Sequence, residues 1–200
     1  SKRILVTGGA GFLGSHLCER LLEAGNDVLC VDNYFTGSKQ NIAACLGNPR
    51  FELMRHDVTF PLYVEVDEIY NLACPASPVH YQHDPVQTTK TSVHGAINML
   101  GLAKRVRAKI FQASTSEVYG AFIHKGKEDD FTPIGPIGES RWVYAASKLA
   151  SEHLSYAHYR EDGLPLSIVR PFNVYGPRQV GDGAIRGITL QALKNLPITL

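Results

Sequence analysis

The sequence predicts an α/β fold, a doubly wound parallel sheet with helices on both faces. Three observations predict it. Short apolar runs that read as strands alternate along the chain with longer stretches whose apolar residues recur at helical spacing. The strand-like runs are apolar throughout, as strands covered on both faces are. The first of them opens into the glycine-rich string TGGAGFLG, residues 7–14, directly before the first helix.

Each element has its own signal. RILVT at 3–7 is β-rich and closed by Gly8. Phe12, Leu13, Leu17, Leu21 and Leu22 share a helical face, and Gly25 stops that helix. DVLCVD at 27–32 is a second buried strand, and NIAACLG at 41–47 reads as a short helix. FELMRHD (51–57) and EIYNLA (68–73) are the third and fourth strands. Residues 85–106 form a long helix with Pro85 in its first turn, where a missing N–H costs nothing. KIFQAST (109–115), a second long helix (141–161), LSIVRPF (166–172) and a last helix (183–195) follow. Residues 121–140, rich in Gly, Pro and charge, are expected to be one long, mobile loop. Neither a repeat nor a linker divides the chain, so residues 1–200 are expected to be one domain.

Composition excludes several classes of function. Twenty basic against nineteen acidic residues leave a net charge of +1, no footprint for nucleic acid or an anionic membrane. No run approaches the ~18 apolar residues of a membrane span. The first residues enter a strand at once, leaving no room for a signal peptide, so a cytoplasmic protein is expected. Cys18, Cys30, Cys45 and Cys74 form no CxxC pair and are expected as buried, reduced thiols. His80 and His83 lack the carboxylates or thiols that would complete a metal site, and are expected as loop histidines. Lys104, Arg105, Arg107 and Lys109 gather at a helix end, where cations suit the dipole.

The glycine string carries a nucleotide-binding signal. Gly8, Gly11 and Gly14 are spaced three and three. The first allows a tight turn, the second the approach of a pyrophosphate, and the third close packing of helix on strand. Phe12 and Leu13, at the start of the helix, are expected at the cofactor. Asp32, with Asn33 after it, ends the next strand, where a carboxylate accepts both adenosine ribose hydroxyls and repels a 2′-phosphate. NAD is therefore expected over NADP, on a Rossmann fold. Asp57 and Val58 end the third strand, at the expected adenine edge. Leu72 and Ala73 stand at the ligand-facing end of the fourth, where a cofactor is expected.

The chemical signal is STSEVYG, residues 114–120, with YAASK, residues 144–148. Tyr144 and Lys148 are one helical turn apart and share a face. An ammonium beside a phenol, next to a cationic nicotinamide, favours phenolate. The phenolate then serves as base toward a sugar hydroxyl whose hydride leaves for NAD. Thr115 is expected to hold the same hydroxyl.

TGxxGxxG, a Ser/Thr strand end and YxxxK together resemble the extended short-chain dehydrogenase/reductase family over the whole chain. That family contains nucleotide-sugar epimerases, dehydratases and decarboxylases. NLACPASPVHYQ (71–82) and STSEVYG are most similar to its UDP-glucuronate decarboxylases. The resemblance implies Tyr144 as base, Lys148 as its electrostatic support and Thr115 as orienter, with Ser116 and Glu117 working near the carboxylate and C5. Dehydratases of the family place an Asp where this chain has Ser116, a poor acid. It implies NAD contacts at Tyr144, Lys148 and Pro171, the last from RPFNVYGPR (170–178). It implies contacts to a nucleotide sugar at Pro78, His80, Tyr81, Asn173 and Arg178. The substrate-binding part begins near residue 173. The chain ends on LPITL, a strand-like run, so that lobe is expected to be incomplete. The resemblance also implies a homodimer through helices 85–106 and 141–161. Decarboxylases commonly read YDEGK where this chain reads YAASK, so a UDP-sugar 4-epimerase stays open as the alternative. A non-catalytic nucleotide-binding protein is the second.

Overall fold

The computed structural model describes residues 1–121 and 124–199. Its centre is a six-stranded sheet of β1 (Arg3–Thr7), β2 (Asp27–Asp32), β3 (Phe51–Arg55), β4 (Glu68–Asn71), β5 (Lys109–Ala113) and β6 (Leu166–Val169). The order is β3-β2-β1-β4-β5-β6 and every neighbouring pair is parallel. The helices are α1 (Phe12–Glu23), α2 (Pro78–Tyr81), α3 (Pro85–Val106), α4 (Arg141–Asp162) and α5 (Ala184–Leu193).

Strand geometry explains why the sheet is covered twice. Successive side chains point to opposite faces. Leu5, Leu29, Val31, Ile69 and Ile110 therefore pack with Met99, Leu100 and Ala103 of α3 on one face. Ile4, Val6, Val28 and Cys30 meet Cys18 of α1, with Ile42 and Cys45, on the other. Each fully buried aliphatic side chain contributes about 2 kcal/mol. Asp84 caps α3 by accepting the N–H of Gln87 at 2.9 Å. The left-handed Arg107 ends α3, and Gly163 ends α4 in the same way.

The structure corrects several expected boundaries. The helix expected at 41–47 is a 3₁₀ turn at Lys39–Ile42 followed by irregular turns. Strands β3 to β6 end two to three residues early, so Asp57, Ala73, Thr115 and Pro171 follow their strands. Polar side chains take over there. Asp57 accepts the N–H of Thr59 at 2.9 Å, and Thr115 caps a 3₁₀ turn at Ser116–Tyr119 by accepting the N–H of Glu117 at 3.2 Å. His80 lies on α2, not in a loop. The expected loop at 121–140 has no helix or strand among its described residues, and it is held down. Trp142 donates to Glu139 at 3.1 Å and Arg170 to the Glu128 carbonyl at 3.2 Å. Phe122 and Ile123 of that loop lie outside the described residues. The run LPITL forms no strand over 196–199, and Leu200 also lies outside the described residues.

One buried ion pair joins α4 to the sheet. Glu152 accepts from Arg170 at 2.6 and 2.9 Å and from the Ser114 hydroxyl. Only 9% of the Glu152 side chain and 17% of the Arg170 side chain are exposed. Removing one partner leaves the other charge buried and unpaired. Glu152→Ala is expected to cost about 3 kcal/mol of unfolding free energy, read from urea denaturation against the parent.

Candidate active site

The strand order reverses between β1 and β4, and ligands of open α/β sheets bind at the carboxyl ends beside such a switch. Here those ends open into a cleft of about 660 Å³.

The glycine turn forms its floor. Gly8 has φ +69°, donates to the Val31 carbonyl at 2.8 Å and accepts from Gly11 at 3.0 Å. A β-carbon on Gly14 would stand 2.1 Å from the Gly8 carbonyl oxygen, a clash with backbone that cannot yield. Only glycine lets α1 begin this close to the turn. Thr7 donates to Asn71 at 2.7 Å and accepts the N–H groups of Leu72 and Ala73 at 3.2 and 3.3 Å. Asn71 passes the chain to Gln112 at 2.9 Å. This buried polar row locks the carboxyl ends of β1, β4 and β5 in register.

Asp32 stands beside the turn. Its carboxylate accepts the N–H of Ala10 at 2.9 Å and of Tyr34 at 2.8 Å. Burial pushes this carboxyl above its usual range, and the two N–H bonds oppose that. A carboxylate has about four acceptor positions, so roughly two remain for ribose hydroxyls. A β-carbon on Gly37 would come within 2.9 Å of both carboxylate oxygens. Gly37 escaped the sequence reading because a single glycine in a polar loop has no periodic signal. Asn33 donates to Asp57 at 3.3 Å, linking two residues expected around the adenosine.

At the other end, α4 brings Tyr144 and Lys148 to the turn after β5. The two side chains are 5% and 3% exposed, and both line the cleft with Thr115, Ser116 and Glu117. Lys148 donates to the Ala113 carbonyl at 2.9 Å, and its nitrogen stands 5.9 Å from the Tyr144 ring centre. Tyr81 of α2 stacks on Tyr144, with ring centres 4.7 Å apart and planes within 7°.

Burial pushes the Tyr144 phenol far above the usual range, and the nearby Thr115 hydroxyl opposes this. Cys74 is half-buried and lines the cleft; its sulfur lies 3.0 Å from the Ser92 hydroxyl. The other three cysteines are free and buried.

The cleft also gathers Phe12, Leu13, Val58, Leu72, Pro78, His80, Pro171 and Asn173. Arg178, expected at the substrate, is not among its lining residues. Its backbone lies at φ +70° and its guanidinium pairs with Glu19 of α1 at 2.6 Å. The cationic helix end is spent on ion pairs too, Lys104 with Asp162 and Arg105 with Glu65. No helix among the described residues is long and apolar enough to cross a membrane.

The chain belongs to the NAD dependent epimerase/dehydratase family, whose description it matches over residues 4–200. It is 52% identical to UDP-glucuronic acid decarboxylase 6 of Arabidopsis thaliana, covering 99% of this chain and 59% of that one. UDP-glucuronic acid decarboxylase 1 of Xenopus tropicalis is 47% identical, with 100% and 48% covered. The chain thus spans about half to three-fifths of these relatives. A UDP-glucuronic acid 4-epimerase of Bacillus cereus, solved with UDP-glucuronic acid and NAD, superposes with a TM-score of 0.83. It is 32% identical over 99% of this chain and 65% of its own. The residues fit NAD: a glycine cradle that a β-carbon would fill, and a carboxylate with free acceptor positions.

The raised phenol gives a direct test. Tyr144→Phe is expected to leave the tyrosine titration around the usual ~10 unchanged, because Tyr144 titrates above it, read as absorbance near 295 nm. Added NAD⁺ is expected to bring one tyrosine down in the parent and none in the variant.

Proposed function

We propose that this chain carries the dinucleotide-binding and catalytic part of an NAD-dependent UDP-glucuronate decarboxylase that makes UDP-xylose. The observation that carries the reading is the meeting of Tyr144, Lys148, Thr115 and the Ser116–Glu117 pair in one cleft with the glycine turn. The likeness to decarboxylases over 99% of the chain supports the substrate.

Bound NAD would accept the hydride of the sugar's C4 and return it later. Thr115 would hold the C4 hydroxyl and Tyr144 take its proton, with the Lys148 ammonium favouring phenolate. A ketone at C4 makes the substrate a β-keto acid, because the carboxylate sits on the neighbouring C5. The C5–carboxylate bond breaks, CO₂ leaves, and its electron pair moves into an enolate. Ser116 and Glu117 would deliver a proton to C5, directly or through a water. Tyr144 would return its proton to the C4 oxygen. Pro78, His80, Tyr81 and Asn173 would face the nucleotide sugar, and residues from about 173 would begin its binding lobe.

A UDP-sugar 4-epimerase is the second reading, supported by YAASK and by the 4-epimerase structure. We also propose a homodimer through α3 and α4. They pack side by side and leave Val86, Ile97, Tyr156 and Tyr159 exposed. Four free cysteines fit a reducing compartment such as the cytoplasm.

Incubation with UDP-glucuronate is expected to release CO₂ and form UDP-xylose, read by mass spectrometry. UDP-galacturonate at unchanged mass would overturn the decarboxylase in favour of the epimerase. Tyr144→Phe is expected to lower turnover about 10²- to 10⁴-fold while bound dinucleotide is retained.

A further inference from the structure

Residues 170–183, between β6 and α5, contain no helix or strand. Within them, Val174, Tyr175, Gln179 and Val180 line the cleft opposite the glycine turn. Such a strap loses roughly 1–2 kcal/mol of backbone entropy per ordered residue, so something must hold it. At its far end Ser77 donates to Asp182 at 2.6 Å. Its middle is fastened to α1, the helix that follows the glycine turn. Arg178 donates to Glu19 at 2.6 Å and to the Ser15 hydroxyl at 3.3 Å. The His16 ring nitrogen lies 3.1 Å from the Pro177 carbonyl oxygen, with the Phe12 ring edge-on to His16 at 5.9 Å. A β-carbon built on Gly176 would rest 3.4 Å from the Phe12 ring. The Arg178 backbone sits at φ +70°, a region costly for any residue with a β-carbon. A strained residue whose side chain bridges two helix groups is held there by those bonds.

We propose that Arg178 and Glu19 form a clasp that holds residues 174–180 against α1 and slows the escape of the dinucleotide from the cleft. They are positioning residues: neither reaches the reacting atoms. The inference rests on the reading of this cleft as the NAD site. A retained dinucleotide suits a reaction in which the hydride leaves and returns to the same sugar. Both side chains are about a quarter exposed, so the pair alone is modest and sensitive to salt.

The test is the rate of NADH release. Protein loaded with NADH is mixed with excess NAD⁺, and the fall in NADH fluorescence is followed by stopped flow. Glu19→Gln and Arg178→Gly are each expected to release NADH roughly three- to tenfold faster. Arg178→Gly removes the guanidinium yet suits the positive φ, so the thermal midpoint holds; Glu19→Gln suffices should that variant fail to fold. The charge-reversed pair, Glu19→Arg with Arg178→Glu, is expected to recover part of the loss. Glu65→Gln, which breaks the Arg105 pair, is expected to match the parent. Release at the parental rate in both clasp variants overturns the clasp, as does equal acceleration in Glu65→Gln. A parent that binds no NADH overturns the dinucleotide reading and the clasp with it.

Discussion

The bond from the Lys148 ammonium to the Ala113 carbonyl, 2.9 Å long and shut away from solvent, is the interaction on which the site's geometry depends. It fastens α4 to the last residue of β5, and so sets where the Tyr144 phenol stands relative to the turn that begins at Thr115. One turn further along the helix, Glu152 makes a second fastening, to Ser114 and Arg170. The helix cannot rotate without breaking both. A carbonyl is a neutral partner, so the ammonium keeps its capacity to favour negative charge developing nearby.

The same economy runs across the sheet. Thr7, Asn71 and Gln112 satisfy one another in a row, where unpaired polar groups would be costly. With the strand ends fixed, the glycine turn, the Asp32 carboxylate and the turn at Thr115–Glu117 become parts of one rigid rim. Tyr81 then lies against the Tyr144 ring from α2, so a residue expected at the sugar also backs the phenol. That stack covers one face of the Tyr144 ring and contributes to its burial.

Much of this was legible from residue pattern alone. The long helix α3 was expected at 85–106 and lies there: Pro85 marks its start, and its buried face runs from Thr88 to Ala103. Strand ends were less legible. In 109–115 the hydroxyl residues are β-compatible, and nothing in the string says that Thr115 caps a turn instead of extending the ladder. The family string RPFNVYGPR carried Arg178 to the substrate; its guanidinium here pairs with Glu19 of α1, from a left-handed backbone. Backbone handedness at a non-glycine residue has no composition signal.

The pairing of β1 with β4 has a consequence for how the molecule is made. Thr7 and Asn71 touch across 64 positions of chain. While β1, β2 and β3 emerge from the ribosome, they can associate among themselves, but the second flank of β1 stays bare until residue 68 and beyond appear. A naked apolar edge in mid-sheet invites foreign strands. Non-local contacts of this kind also slow the search for the native topology. The vulnerable interval of biosynthesis therefore falls between the third strand and the fourth, and shielding by a chaperone matters most there.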